Sequence, residues 1–343
     1  MKRSVSGLLL GAVCLLSGCG RAGKTLHVYT WADYIKPELV ARFEAQQGCR
    51  VVIDTFDSNE SMYAKLKAGA TGYDIVFPSS YMVKIMHAQG MLQPLRPEWL
   101  PNLRHVDRDY LKLAMDPAME HSVPYMLTYT GIACLKSKVA GFEPSWAMFE
   151  RADLKSRMTM LNDMRETIGA ALKFLGYSLN TVNDAELAAA RDVVLRWKQN
   201  LAKFENEQYK TGLASGEFFL VHGYSGDIMQ VKAENEDIVF ALPREGYSIS
   251  CDDMVILRQA REVELAHAFI NFLHDPEVAA ENTEFIQYLC PNAASYEKLS
   301  AEIRSNPSIF PPPEIRAKGE VIADLGADNA KYVKVWDEIK AGE

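Results

Sequence analysis

Apolar positions along the chain switch between a period of two and a period near 3.6, and the switch recurs several times. Leu26, Val28 and Thr30 alternate as a strand. Pro37 opens a helix with Leu39, Val40 and Phe43 on one face, and Gly48 closes it. Val51 to Thr55 forms the next strand, and Ser58 caps a helix carrying Met62 and Leu66, with Gly69 as its stop. Tyr73 to Phe77 forms a third strand, halted by Pro78, before a helix through Val83 and Met86 to Gly90. Short strands alternating with helices predict a parallel, doubly wound sheet with right-handed crossovers. The pattern restarts at Met158 to Leu161, followed by a helix from Met164 to Leu175 that Gly176 ends. A further helix begins at Asp184 and runs through Leu187, Val194 and Trp197; Phe218 to Val221 and Asp237 to Leu242 are strands. Asp252 to Leu257 and the helices through Phe269 and Val278 fit either unit. Two α/β units therefore share one chain, with no Ser/Gly-rich linker between them.

One apolar run does not belong to this alternation. Lys2 and Arg3 precede Val5 to Leu16, a stretch too short to span a bilayer, which then meets Leu16-Ser17-Gly18-Cys19. Residues 1–18 are expected to be a secretory signal. Cys19 after Leu-Ser-Gly resembles the lipobox of bacterial lipoproteins, which implies a lipidated Cys19, a spacer over 19–24 and membrane attachment through the lipid alone. An incidental Cys behind an ordinary signal is the bland alternative. Loss of Lys2 and Arg3 takes the net charge from −8 to −10 and leaves 325 of 343 residues, enough for two domains. So acidic a surface repels phosphate backbones, which argues against nucleic acid and for a cationic ligand. Cys49, Cys134, Cys251 and Cys290 show no zinc-like spacing and allow three disulfide connectivities, among which the sequence does not choose; several read as small buried hydrophobes. His267 and His274 share a helical face and read as a solvated stripe. No metal or cofactor is expected.

In doubly wound sheets, ligands bind beyond the carboxyl ends of the strands. Those ends carry Trp31, Asp33 and Tyr34, then Ser79 and Tyr81, then Asp163 with Glu166, then Tyr224 with Asp227, and Asp252 where the chain crosses back. Carboxylates accept charge-assisted hydrogen bonds from ammonium groups, and aromatic faces attract a cation while covering its methylenes. Acids on two lobes would grip the two ends of a linear diamine. Each element also has an ordinary reading: Asp163 and Glu166 fit a capping box, Asp227 fits a helix cap, and Trp31 fits a core. Only their joint placement points to a site. Arg165 is the exception to a scarcity of Lys and Arg at these ends.

These residues, with Val28 to Tyr34, Phe56 to Glu60, Tyr73 to Ser79, Val123-Pro124-Tyr125, Pro243 to Gly246 and Ile270 to Leu273, closely resemble the spermidine- and putrescine-binding receptors of bacterial ABC polyamine importers. The resemblance implies a type II periplasmic-binding-protein fold: two lobes, each a mixed, mostly parallel sheet flanked by helices, joined by crossing strands, with ligand between. It assigns residues 25–128 and 251–294 to lobe 1, and 129–250 and 295–343 to lobe 2. Ligand positions fall on Trp31, Asp33, Tyr34, Ser79, Tyr81, Asp163, Glu166, Tyr224, Asp227, Asp252 and Tyr288. Trp31, Tyr224 and Tyr288 would wall the aliphatic chain, and the five acids would take ammonium groups. Tyr224 replaces the usual Trp, Ser250 stands where an aromatic is common, and Ile322 replaces a Gln of spermidine receptors. Asp227 resembles the putrescine-specific members. Putrescine is therefore expected ahead of spermidine, bound by a monomer that hands it to a transmembrane ABC permease outside the cytoplasmic membrane.

Three other classes are weighed against this. Gly223-Tyr224-Ser225-Gly226 lacks the second Gly of a nucleophile elbow where Asp227 stands, and Ser295-Tyr296-Glu297-Lys298 lacks the companion motifs of penicillin-interacting enzymes. A receptor for an amino acid needs an Arg clamp, for which Arg165 is the one candidate. A purely adhesive lipoprotein would make the acids and aromatics at the strand ends a coincidence.

Overall fold

A computed structural model describes residues 23–111 and 114–342. The signal segment 1–18 and Cys19 lie outside the described residues. The chain begins with β1 (Thr25–Trp31), α1 (Pro37–Gln47), β2 (Arg50–Phe56), α2 (Asn59–Lys67), β3 (Ile75–Val76), α3 (Ser80–Ala88) and the short α4 (Arg108–Leu111). β1 pairs in parallel with both β2 and β3, as the alternation of strand and helix requires. Gly48 ends α1 in the left-handed region at φ 60°, where a Cβ would be strained.

β4 (Ser122–Leu135) is buried along all 14 residues and belongs to both halves of the molecule. Its first half pairs antiparallel with β9 (Tyr247–Ile256), and its second half pairs with β7 (Leu220–Tyr224) and β8 (Ile238–Ala241). The second unit also contains β5 (Met158–Met160), α5 (Met164–Phe174), α6 (Asp184–Lys198), β6 (Leu201–Phe204), α7 (Gln208–Ser215) and α8 (Ser225–Lys232). The chain then runs through α9 (Val263–Leu273), α10 (Pro276–Ile286), α11 (Ala301–Ser305), α12 (Pro313–Arg316), β10 (Gly319–Val321) and α13 (Asn329–Ala341). Strand order is β2-β1-β3-β9-β4-β7-β5-β6, with β10 on β9 and β8 on β4. Each half is thus a parallel trio closed by antiparallel crossing strands, the mixed sheet expected.

Two separate apolar cores mark the lobes. Leu26, Leu39, Phe43, Phe269 and Ile270 fill one, and Trp146, Phe149, Ile168, Trp197, Tyr332 and Ile339 the other. Leu299, Ile303 and Ile309, from the segment expected with lobe 2, pack against Leu127, Ala280 and Leu289, whereas α13 packs on α5 and α6.

Several elements depart from the sequence pattern for identifiable reasons. The strand expected at Phe218 starts at Leu220 because the Phe218 ring is lodged against Gly212 of α7, where a Cβ would collide with it. β4 is obscured by Pro124, which lies where the register with β9 shifts. β6 and α7 carry little periodic signal: β6 is half exposed, and α7 contains Gly212. His267 and His274 are buried, not solvated. The Nδ1 of His267 donates to Val263 O while its Nε2 accepts from Arg96 N, and His274 Nε2 donates to Pro124 O. Burial pushes the His274 imidazole down to about 4, which keeps it neutral in the core. Cys134 and Cys290 are buried, Cys49 and Cys251 half-buried, and all four are free thiols.

Candidate functional site

The cleft between the lobes holds a cavity of about 240 Å³, and all eleven residues expected at the site line it. The backbone accounts for this convergence. β1, β3, β5 and β7 all end facing the cleft, and an isolated antiparallel bridge joins Ser79 to Asp252.

Asp252 is the most constrained acid from the crossing strands. Its Oδ2 accepts from the Tyr34 hydroxyl at 2.6 Å and its Oδ1 from the Ser79 hydroxyl at 2.6 Å. Asn59, which was not singled out in the sequence beyond its motif, holds Ser79 from behind: Ser79 N donates to Asn59 Oδ1 and Asn59 Nδ2 donates to Ser79 Oγ. Burial pushes the Asp252 carboxyl up to about 6, against the two hydroxyl donors that favour its charged form.

Asp163 is the N-cap of α5, accepting from the backbone N–H groups of Arg165 and Glu166. The expected capping box is only half built, because Glu166 does not reach back to the N-cap. Its Oε2 accepts instead from the hydroxyls of Thr130 (2.9 Å) and Ser248. Burial, reinforced by the neighbouring Asp163, pushes the Glu166 carboxyl up to about 8, and burial raises Asp163 as well. Asp227 sits in the first turn of α8 and is not its cap. Its two oxygens accept from Tyr209 (2.7 Å) and Tyr288 (3.0 Å). All three acids lie at helix N-termini, Asp163 as the cap and Glu166 and Asp227 in first turns, where the helix dipole favours negative charge.

The aromatic walls are fixed by their neighbours. Trp31 Nε1 donates to Phe77 O at 2.9 Å, and its ring lies 4.4 Å from that of Phe56. Tyr34 meets Tyr288 edge-on at 5.7 Å and Tyr125 at 5.3 Å. Gly226, at the start of α8, lies under the Tyr288 ring, and a Cβ there would collide with Cδ2 and Cε2. Gly226→Ala is therefore expected to force Tyr288 off Asp227 across the cleft, a strain of about 1–3 kcal/mol. Small-angle scattering would show a more open molecule; unchanged dimensions and unchanged ligand affinity would count against this packing.

Two cationic residues of the cavity are already engaged. Arg165 is buried, with its guanidinium donating to Ala323 O and Asn180 Oδ1 and lying 4.8 Å over the Tyr332 ring. It is thus not the clamp that an amino-acid carboxylate requires. Lys210, on the unforeseen α7, lies 3.2 Å from Asp33 Oδ2. The side chain of Asp33 is 68% exposed at the rim, and the residue adopts φ 52°. Among the described residues, the ion pairs spanning the cleft are this one and Lys84 with Asp324, and neither uses Asp163, Glu166, Asp227 or Asp252. Asn206 Nδ2 adds a bond to Asp57 O, and Gln230 Nε2 one to Ile286 O.

The nucleophile alternatives do not assemble. Ser225 is buried, with its Oγ accepting from Tyr129 N, and Ser295 is buried, donating to Asn292 O. Lys298 pairs with Glu277 on the surface.

A two-lobed α/β fold hinged on shared strands, with an acid-lined interlobe cavity, defines a class of ligand-capturing proteins. The chain belongs to the bacterial extracellular solute-binding proteins, whose family model matches residues 38–311. It is 36% identical to the putrescine-binding periplasmic protein SpuD of Pseudomonas aeruginosa over 93% of both chains. It is 33% identical to the putrescine-binding periplasmic protein PotF of Escherichia coli over 100% of this chain and 99% of that one. The solved structure of the Tp0655 (TpPotD) lipoprotein of Treponema pallidum superposes with a TM-score of 0.83 at 36% identity, covering 92% of this chain and 99% of that one.

Proposed function

We propose that the protein is an extracytoplasmic polyamine receptor, binding putrescine ahead of spermidine and delivering it to an ABC importer without turning it over. The observation that carries this reading is the cavity itself: Asp163, Glu166, Asp227 and Asp252 line it beside Trp31, Tyr34, Tyr224 and Tyr288 and, among the described residues, form no ion pair with a protein cation. Ser79 and Tyr81 complete the lining, and Asp33 sits at its rim. Each ammonium–carboxylate hydrogen bond contributes about 1.5–3 kcal/mol and each aromatic face about 0.5–2 kcal/mol, offset by desolvation of the amine. Contacts drawn from both lobes give ligand a higher affinity for the closed state, which is what drives closure on the β4 and β9 hinge. In this reading lobe 1 comprises residues 25–128 and 251–294, with Leu299, Ile303 and Ile309 packed against it, and lobe 2 comprises residues 129–250 and the rest of 295–343. The receptor is a monomer tethered through a lipid on Cys19.

The lean toward putrescine rests on lining residues and on relatives. Ile322 offers no acceptor to a secondary ammonium, Tyr224 is a smaller wall than Trp, and Asp227 adds an acid. SpuD and PotF are both putrescine-binding proteins by name. Calorimetric titration of protein unfolded and refolded to strip bound amine tests the reading. Putrescine, cadaverine and spermidine are expected to bind saturably, while lysine is not, because its carboxylate would meet acids with no free Arg. Indifference to all three amines at micromolar concentration would end the proposal.

A further inference from the structure

We infer that Lys210 is a specificity residue that sets the number of positive charges the cavity accepts, by holding Asp33 and excluding a third ammonium. The inference rests on the polyamine reading above and deepens it. Lys210 is the third residue of α7 and lines the cavity. Its Nζ lies 3.2 Å from Asp33 Oδ2 and 3.5 Å from Gln230 Oε1. The asymmetry of exposure is informative: the lysine side chain is 17% exposed, the aspartate 68%. The pair therefore presents its cation inward and its anion outward, the reverse of what a ligand ammonium would need from Asp33.

The lysine is placed firmly. Tyr209, the residue before it, is buried and donates to Asp227, which ties α7 to the acid expected at one end of the ligand. Gln230 is anchored through Nε2 to Ile286 O, so its carbonyl is held toward the lysine. Asp33 is fixed by its left-handed backbone at φ 52°. Asp33 is the ion-pair partner of Lys210, and Asp57, Glu207 and Asp227 share the cavity lining with it. Of the lining acids outside ion pairs among the described residues, Asp57 and Glu207 are exposed, and the buried or half-buried Asp163, Glu166, Asp227 and Asp252 remain for the ligand. A diammonium fits that field. A triammonium would have to share it with the Lys210 cation in addition to the buried Arg165, and like charges in a partly desolvated cleft repel strongly.

Titration calorimetry of wild type, Lys210→Met, Asp33→Asn and the double variant, each with putrescine and with spermidine, tests this. Lys210→Met is expected to raise the spermidine-to-putrescine affinity ratio by about tenfold or more, equivalent to ~1.4 kcal/mol. The double variant is expected to lose that gain, because the gain requires the freed Asp33 carboxylate. Asp33→Asn alone is expected to move the ratio further toward putrescine. Should Lys210→Met fold poorly by circular dichroism, Lys210→Gln carries the same prediction. An unchanged ratio, or equal losses for both amines as a simple interlobe strap would give, overturns the inference while leaving the receptor reading intact. A wild-type protein that binds neither amine would instead remove the receptor reading itself.

Discussion

Asp252→Asn is expected to raise the Kd for putrescine on the order of 10- to 150-fold, the factor for loss of a hydrogen bond to a charged group. The geometry makes the substitution nearly isosteric. Tyr34 and Ser79 hold the two carboxylate oxygens at 2.6 Å each, and either hydroxyl can rotate to accept from an amide. The free protein should not be weakened. Burial pushes this carboxyl up to about 6, so keeping it ionised at neutral pH costs the fold on the order of 2–3 kcal/mol relative to a free aspartate. Asparagine carries no such cost. The expected signature is thus a large loss of affinity with a melting temperature equal to or above that of wild type in the absence of ligand. Retained affinity at equal stability would remove Asp252 from the site, and a lower melting temperature would mean that the carboxylate supports the fold.

This opposition between stability and binding explains which parts of the site could be read from sequence. Acids and aromatics stand out at strand ends because a doubly wound sheet directs those ends to one edge, so Trp31, Asp33 and Tyr34 at β1, Asp163 and Glu166 after β5, and Tyr224 and Asp227 at β7 are legible from the alternation of those strands, and Asp252 from the point where the chain crosses back. Their partners were not. Tyr209 and Lys210 reach the cleft on α7, whose Gln208–Ser215 stretch includes Gly212 and shows no apolar stripe. Glu166 looked like half of a capping box because spacing alone cannot tell that Thr130 and Ser248, 36 residues before it and 82 residues after it, would supply hydroxyls. The role of Asp33 was likewise ambiguous, since its left-handed backbone and the lysine opposite are tertiary facts. The hinge was hidden for a local reason: Pro124 interrupts β4 at its register shift, and proline in a run ordinarily argues against a central strand.

Putrescine affinity is expected to rise on the order of a hundredfold between pH 5.5 and 8.5, because binding a dication requires carboxylates that the free cleft holds partly protonated. Burial puts Asp252 at about 6, and burial with repulsion from Asp163 puts Glu166 at about 8. The ligand's own ammonium groups, near the lysine range of about 10.4, stay charged throughout this window. A bound cation favours the ionised acids and lowers their pKa values, so binding within the window releases protons, and affinity increases with pH before levelling once Glu166 is ionised. Stability of the free protein runs in the opposite direction. Acids whose folded pKa lies above the unfolded value contribute stability that is fully present below about pH 4 and lost as pH rises through 6 and 8. Asp253, held by Ser80 and pushed to about 7 by burial, adds to that loss but lies outside the cavity lining and takes no part in ligand linkage. The stabilisation conferred by putrescine should therefore be larger at pH 8.5 than at 5.5. Calorimetry at pH 7 in two buffers of different ionisation enthalpy reads the proton release directly. A pH-independent Kd with no buffer dependence would mean that the cleft acids are already ionised before ligand arrives, and that Glu166 serves the helix and not the amine.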